Sequence, residues 1–351
     1  MQAIPALTRI LSLAPSGASI APPMNRRAFV TGLGAVLAAP RAGHAQPAGK
    51  VRTIGFFGPP PTAGGLLQAF QQGLRDLGYL EGQNIRIEYR YTDVPLRGHA
   101  DLFPKLAAEL VALRPDVLVV SVTEAAVAAK NETRTIPIVM VNVPDPVAAG
   151  LVASLARPGG NVTGLSRQSR DIVGKNLQIL REILPKARRI GALVSPTSPL
   201  KSQVVADAKE AARSLGIDLI VVEAETTSDT ERAFLGMKSE QVSAVVVLGG
   251  AGFYLNRVEI ASQALSNRLP AMFQNREFVE AGGLISYAPN TVANYRRAAV
   301  FVDKILKGAR PEELPIEQPT HFELVINIKT VKALGLTIPP SLLQRADQVI
   351  E

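Results

Sequence analysis

Hydroxyl, amide and carboxylate side chains recur in this chain directly behind short runs of β-branched and other apolar residues. Ser121, Thr123 and Glu124 follow the run from Asp116 to Val120. Asn142 and Asp145 follow Ile136 to Val141, with Asp145 held between Pro144 and Pro146. Further along, Ser195 with Thr197, the glycine loop Gly249-Gly250-Ala251-Gly252, and Asn275 hold comparable positions. Side chains of these types bind rather than react: hydroxyls and amides hydrogen-bond a carboxylate, and an acid pairs with an amine. A glycine loop lets main-chain N–H groups come close to a ligand. Phe57, beside Gly58 at the end of the first apolar run, and Phe253 and Tyr287 are candidate apolar walls.

Each candidate also has a plain structural duty. Ser121 and Thr123 serve equally well as helix caps. Glu124 suits the first turn of a helix, where it complements the dipole. Asp145 is a natural turn residue, and aromatic rings at strand ends commonly pack into a core.

Other chemistries have little footing. The chain has no cysteine, so disulfides, thiolate metal sites, cysteine nucleophiles and a lipidated cysteine are excluded. His99 and His321 lie far apart and form no metal-ligand spacing. There is no G-x-S-x-G elbow, and the glycine loop lacks both the G-x-G-x-x-G spacing and the lysine of a phosphate loop. Neither a catalytic residue, a metal nor a cofactor is expected.

Residues 1–45 read as an export signal. Arg26-Arg27 precede a short apolar run to Ala39, and Gly43-His44-Ala45 places small residues where a signal peptidase cuts. The run is well short of the ~20 residues that span a bilayer, so no stable membrane anchor is expected. The paired arginines resemble a twin-arginine signal, with cleavage after Ala45 and either Met1 or Met24 as the start. Taking the four arginines of this stretch from the 38 basic residues leaves a net charge of +4 against 30 acidic ones. No Arg-rich or aromatic-interleaved basic stripe remains, and nucleic acid is not an expected partner.

The elements that must position these residues follow a βαβ rhythm. Val51 to Phe57, Ile85 to Tyr89, Asp116 to Val120 and Ile136 to Val141 read as strands, separated by leucine-striped helices. The same order then returns. Arg52-Thr53-Ile54-Gly55 is echoed by Arg189-Ile190-Gly191, Leu77-Gly78-Tyr79 by Leu215-Gly216-Ile217, and Ile136-Pro137 to Asn142 by Leu269-Pro270 to Asn275. Gly159-Gly160-Asn161-Val162-Thr163 likewise faces Gly282-Gly283-Leu284-Ile285-Ser286. The period is too long for a solenoid and predicts an α/β protein of two similar doubly wound parallel-sheet lobes. Their strand ends would face one shared cleft, with helix N-termini that favour an anionic group.

Several longer segments resemble the periplasmic substrate-binding proteins of ABC transporters, in the family that includes a tryptophan-binding protein. They are Phe70 to Tyr79 with Glu81 to Ile85, Asp145-Pro146-Val147 with Gly150 to Asn161, Arg276 to Leu284, and Phe322 to Asn327. Glu124 departs from that family, which usually has a small or apolar residue there. The resemblance implies a type I periplasmic-binding-protein-like fold and a binding protein without catalytic activity that hands a small molecule to permease subunits. Main-chain donors at helix ends favour a carboxylate and Asp145 with Glu124 would suit an amine, so an amino acid is the first expected ligand and a small carboxylate the second, bound by a monomer. A binding module that serves a membrane sensor is the second reading, and an enzyme of the same architecture the third. The expected lobes are 46–165 with 290–318, and 166–289 with 319–351. Hinge crossovers are expected near Leu165-Ser166, Tyr287 to Pro289 and Pro319 to Phe322.

Overall fold

The computed structural model describes residues 51–60, 65–92, 99–167 and 169–351. The expected export signal, residues 1–45, lies outside the described residues. The first lobe carries a parallel five-stranded sheet in the order β2-β1-β3-β4-β5, with β1 Arg52–Gly58, β2 Ile85–Tyr91, β3 Val117–Ser121, β4 Ile138–Val143 and β5 Val162–Ser166. β4 starts two residues later than Ile136, because the main-chain N–H of Ile136 donates to the Thr133 hydroxyl instead of to a strand partner.

Helices α1 Leu66–Asp76, α2 His99–Ala112 and α3 Thr123–Glu132 connect these strands. Side chains alternate across β1, so Phe56 packs on one face with Phe70 and Phe57 on the other with Phe103. Both faces are thus covered, as a parallel sheet requires.

The second lobe holds a seven-stranded sheet, β12-β11-β10-β9-β8-β6-β7. Its strands are β6 Arg189–Val194, β7 Asp218–Glu223, β8 Ala244–Val247, β9 Ala271–Phe273, β10 Ile285–Pro289, β11 Phe322–Asn327 and β12 Gln348–Ile350. From β7 to β10 the order repeats that of the first sheet, and the echoed segments fall on equivalent strands. β11 is added antiparallel to β10. Helices α4 Ser169–Ile183, α5 Lys201–Ser214, α6 Thr227–Ser239, α7 Ala251–Leu255, α8 Arg257–Ser266 and α9 Arg276–Glu280 accompany this sheet.

The next helix, α10 Thr291–Leu306, packs against α1, with Tyr295, Ala298, Phe301 and Val302 in the apolar cluster beneath β1. Gly73 of α1 permits that approach: a Cβ there would lie 2.6 Å from the Arg296 carbonyl. The chain returns beside β5, where the Ser166 N–H donates to the Glu317 carbonyl at 2.9 Å and the Glu317 N–H to the Gly164 carbonyl at 2.9 Å. Short helices α11 Ile328–Ala333 and α12 Pro340–Gln344 close the second lobe.

Candidate functional site

In both sheets the strand order reverses between the first and third strands of the lobe, and ligands bind at such points beyond the carboxyl ends of the strands. A cleft of about 870 Å³ of empty space, open solvent included, lies there and takes its walls from both lobes. The first lobe contributes Ser121 to Glu124 at the β3–α3 junction, Asn142 and Pro144 behind β4, and Thr291 and Tyr295 of α10. From the second come Gly249 and Gly250 behind β8, Tyr254 of α7, and Asn275 and Phe278 at α9. Pro59, Leu66, Leu200, Val204 and Leu248 make much of the remaining wall apolar. Arg167 stands between the two sets.

The β3–α3 junction is tightly constrained. Val122 has φ 69°, a left-handed conformation costly for a β-branched residue and held here by its surroundings. Ser121 is buried and hydrogen-bonded to the Tyr295 hydroxyl, whose pKa burial pushes up to about 12. Asn142 also takes a left-handed backbone, with φ 60°, which asparagine tolerates. Its Oδ1 accepts from Asn294 Nδ2 at 2.7 Å, tying β4 to α10.

Opposite, Asn275 precedes α9 with extended backbone and its Oδ1 accepts from Arg167 Nη1 at 3.0 Å. Arg167 Nη2 donates to Gln274 Oε1 at 2.6 Å. Burial draws the Arg167 pKa down to about 10, so the guanidinium stays charged at neutral pH. Glu277, in the first turn of α9, is 1% exposed, and neither carboxylate oxygen meets a donor of another residue. Burial pushes its pKa up.

Of the residues expected from the sequence, the fold brings Ser121, Thr123, Glu124, Asn142, Gly249, Gly250 and Asn275 together around the cleft. The other seven lie outside its lining. Phe57 and Phe253 are core residues, 1% and 0% exposed, because helices cover both faces of their sheets. Gly58 backs onto Ser121. Ser195 and Thr197 turn their hydroxyls to the Glu225 carboxylate, at 2.9 Å and 3.0 Å. Tyr287 stacks on Phe322, with ring centroids 5.6 Å apart.

Asp145 Oδ1 accepts from the N–H groups of Val147 and Ala148, at 3.2 Å and 2.9 Å, which is turn capping. Arg167, Tyr254, Tyr295 and Phe278 are cleft residues that sequence reasoning passed over. Arg167 had one available signal, its place directly behind the expected crossover at Leu165-Ser166. Among the described residues no cluster of His, Asp and Glu could hold a metal, and no helix is long and apolar enough to cross a membrane.

Two doubly wound lobes facing a shared cleft at their switch points define the type I periplasmic-binding-protein-like class. Within that class, residues 61–350 match the model of the ABC transporter substrate binding protein family, and the chain belongs to that family. It is 28% identical over 273 residues to a tyrosine-binding protein of Clostridioides difficile (strain R20291), covering 77% of this chain and 76% of the relative. A crystal structure of a conserved domain protein from Vibrio cholerae superposes with a TM-score of 0.78 at 29% identity, over 86% of this chain and 100% of that one. An ABC domain from Streptococcus pneumoniae in complex with L-Trp gives a TM-score of 0.77 at 27% identity, over the same 86% and 100%.

Proposed function

We propose that this protein is an extracytoplasmic solute-binding protein that takes an amino acid into the interlobe cleft and delivers it to the permease subunits of an ABC transporter, without catalysis. The observation that carries this reading is the cleft itself, which gathers polar groups of both lobes around a mainly apolar hollow. Support for the ligand class comes from the tyrosine and tryptophan named for two relatives. Tyr254, Tyr295 and Phe278 offer apolar and aromatic surface for a side chain, and Ser121, Asn142 and Arg167 offer polar groups for an amino acid's two charges.

A thermal-shift screen of the mature protein against the proteinogenic amino acids tests this. A ligand at 100 times its Kd should stabilise the fold by ~2.7 kcal/mol. No shift with any amino acid, alongside a clear shift with a sugar or polyol, would sink the amino-acid reading.

In this reading the lobes comprise 46–165 with 290–318, and 166–289 with 319–351. The packing of α10 on the first sheet and the pairing of β11 in the second support that division. The segments near Leu165-Ser166, Tyr287 to Pro289 and Pro319 to Phe322 then act as the hinge. Small-angle scattering should show a more compact particle with saturating ligand, since closure requires higher affinity for the closed state.

Export through the twin-arginine route, with cleavage after Ala45, completes the proposal. Joint replacement of Arg26 and Arg27 by lysine should abolish periplasmic accumulation, because lysine keeps the charge but loses the guanidinium.

A further inference from the structure

Arg167 stands where the first crossover, the two lobes and the cleft meet. Its main-chain N–H donates to the Val143 carbonyl of the first lobe at 2.8 Å. Its guanidinium reaches the second lobe, at Gln274 and Asn275, and its side chain lines the cleft. Both acceptors are neutral amides. Among the described residues no carboxylate pairs with it, and the acid whose charge it senses, Glu277, makes no hydrogen bond to it.

A half-buried guanidinium whose side-chain hydrogen bonds go only to neutral amides is imperfectly compensated, and a directly bonded anion would stabilise it. The side chain has donors beyond the two engaged by the amides, arranged in a planar fork that fits a carboxylate. Gly249 leaves room beside it: a Cβ there would lie 3.6 Å from Arg167 Nη2.

We propose that Arg167 anchors an anionic group of the solute, a carboxylate by the match to its planar fork, so that the cleft selects solutes that carry one. The assignment rests on the solute-binding reading above and narrows it. In the bound state the carboxylate takes guanidinium donors that Gln274 and Asn275 leave free. Gly249, without a side chain, lines the approach.

Calorimetric titration of the wild type, Arg167→Gln and Arg167→Lys decides the matter. The probes are L-tryptophan and L-tyrosine, their decarboxylated amines tryptamine and tyramine, indole-3-propionate, which keeps the carboxylate and lacks the amine, and myo-inositol as an uncharged control. The wild type should prefer each amino acid over its amine by about 10- to 150-fold, the worth of a charge-assisted hydrogen bond. Arg167→Gln should lose affinity for the carboxylates by a similar factor and erase the preference. Arg167→Lys, which keeps the charge but not the fork, should fall between and serves if the glutamine variant does not fold. Amines that bind the wild type as tightly as their amino acids, or variants that keep full affinity for an amino acid the wild type binds, overturn the anchor and leave the solute-binding reading standing. Binding of myo-inositol with no carboxylate bound has the same consequence. A wild type that binds none of the probes overturns the anchor and the amino-acid reading together.

Discussion

The two lobes share one strand order, yet they furnish the cleft in opposite ways at their switch points. In the first lobe a glycine ends the first strand and a serine the third. Gly58, with φ 149°, lies so close to Ser121 that a Cβ on it would meet the Ser121 Oγ at 2.2 Å. In the second lobe the order is reversed: Ser195 follows β6 and Gly250 follows β8, and a Cβ on Gly250 would meet the Ser195 Cβ at 3.0 Å. Two adjacent strand ends leave space for only one side chain between them, and each lobe gives that space to a different strand. Ser121 therefore lies in the cleft wall and reaches Tyr295, whereas the Ser195 hydroxyl turns away to Glu225. A repeated frame can thus keep its topology while one half offers a hydroxyl and the other bare main chain.

This contrast is open to direct challenge. Gly58→Ala should be the most damaging change, costing about 2 to 4 kcal/mol in thermal or denaturant unfolding, since a methyl group must displace Ser121 and occupy a backbone conformation suited to glycine. Gly250→Ala, with a less severe contact, should cost less, about 1 to 3 kcal/mol. Equal losses at the two sites would break the comparison.

The two serines should separate by readout. Ser121→Ala is expected to weaken binding of the preferred amino acid by about 5- to 10-fold, the worth of one hydrogen bond. Ser195→Ala should leave the Kd unchanged and cost about 1 kcal/mol of stability. Loss of affinity in the Ser195 variant would show that the second lobe offers a hydroxyl after all.

At Asp145 the sequence leaves two readings. Flanked by prolines behind a buried strand, it suits either an amine partner or a turn residue. In the fold its carboxylate caps the following turn, outside the cleft lining. Asp145→Ala should cost about 1 kcal/mol of stability with no change in affinity, so melts and titrations on the same variant distinguish the two roles.

The smallest effect concerns Glu277. Burial raises its pKa above the ordinary glutamate value of 4.5, so between the unfolded and folded values the native state holds a proton that the unfolded chain has released. Stability from this group therefore falls as pH rises from about 4.5 toward the folded value. Glu277→Gln should remove that slope and gain on the wild type as pH rises from 4.5 to 7. Melting curves with identical pH dependence for the two proteins would remove Glu277 from the account.

Much of the frame was legible because its signals are local. β-branched runs, leucine stripes at helical spacing and glycine stops depend only on neighbouring residues, and their repetition exposed two lobes of one kind. Seven of the fourteen candidate residues reached the cleft for a related reason: in parallel α/β sheets a ligand cleft opens beyond the carboxyl ends of the strands, and Ser121, Thr123, Glu124, Asn142, Gly249, Gly250 and Asn275 stand there.

Where each side chain turns was decided by packing. Phe57 and Phe253 went to the core because both sheet faces are covered, a fact of layers that strand-end position does not reveal. Ser195 and Thr197 were claimed by Glu225, 28 to 30 residues distant in the chain. Arg167 meets Gln274 and Asn275 across 107 to 108 residues, and Tyr295 comes to Ser121 from a helix beyond the second lobe. Local sequence determined the strands, the helices and the doubled architecture, because hydrophobic periodicity is read over a few residues. Which polar groups share the cleft depended on contacts between segments far apart in the chain, and only the closed tertiary packing supplies those.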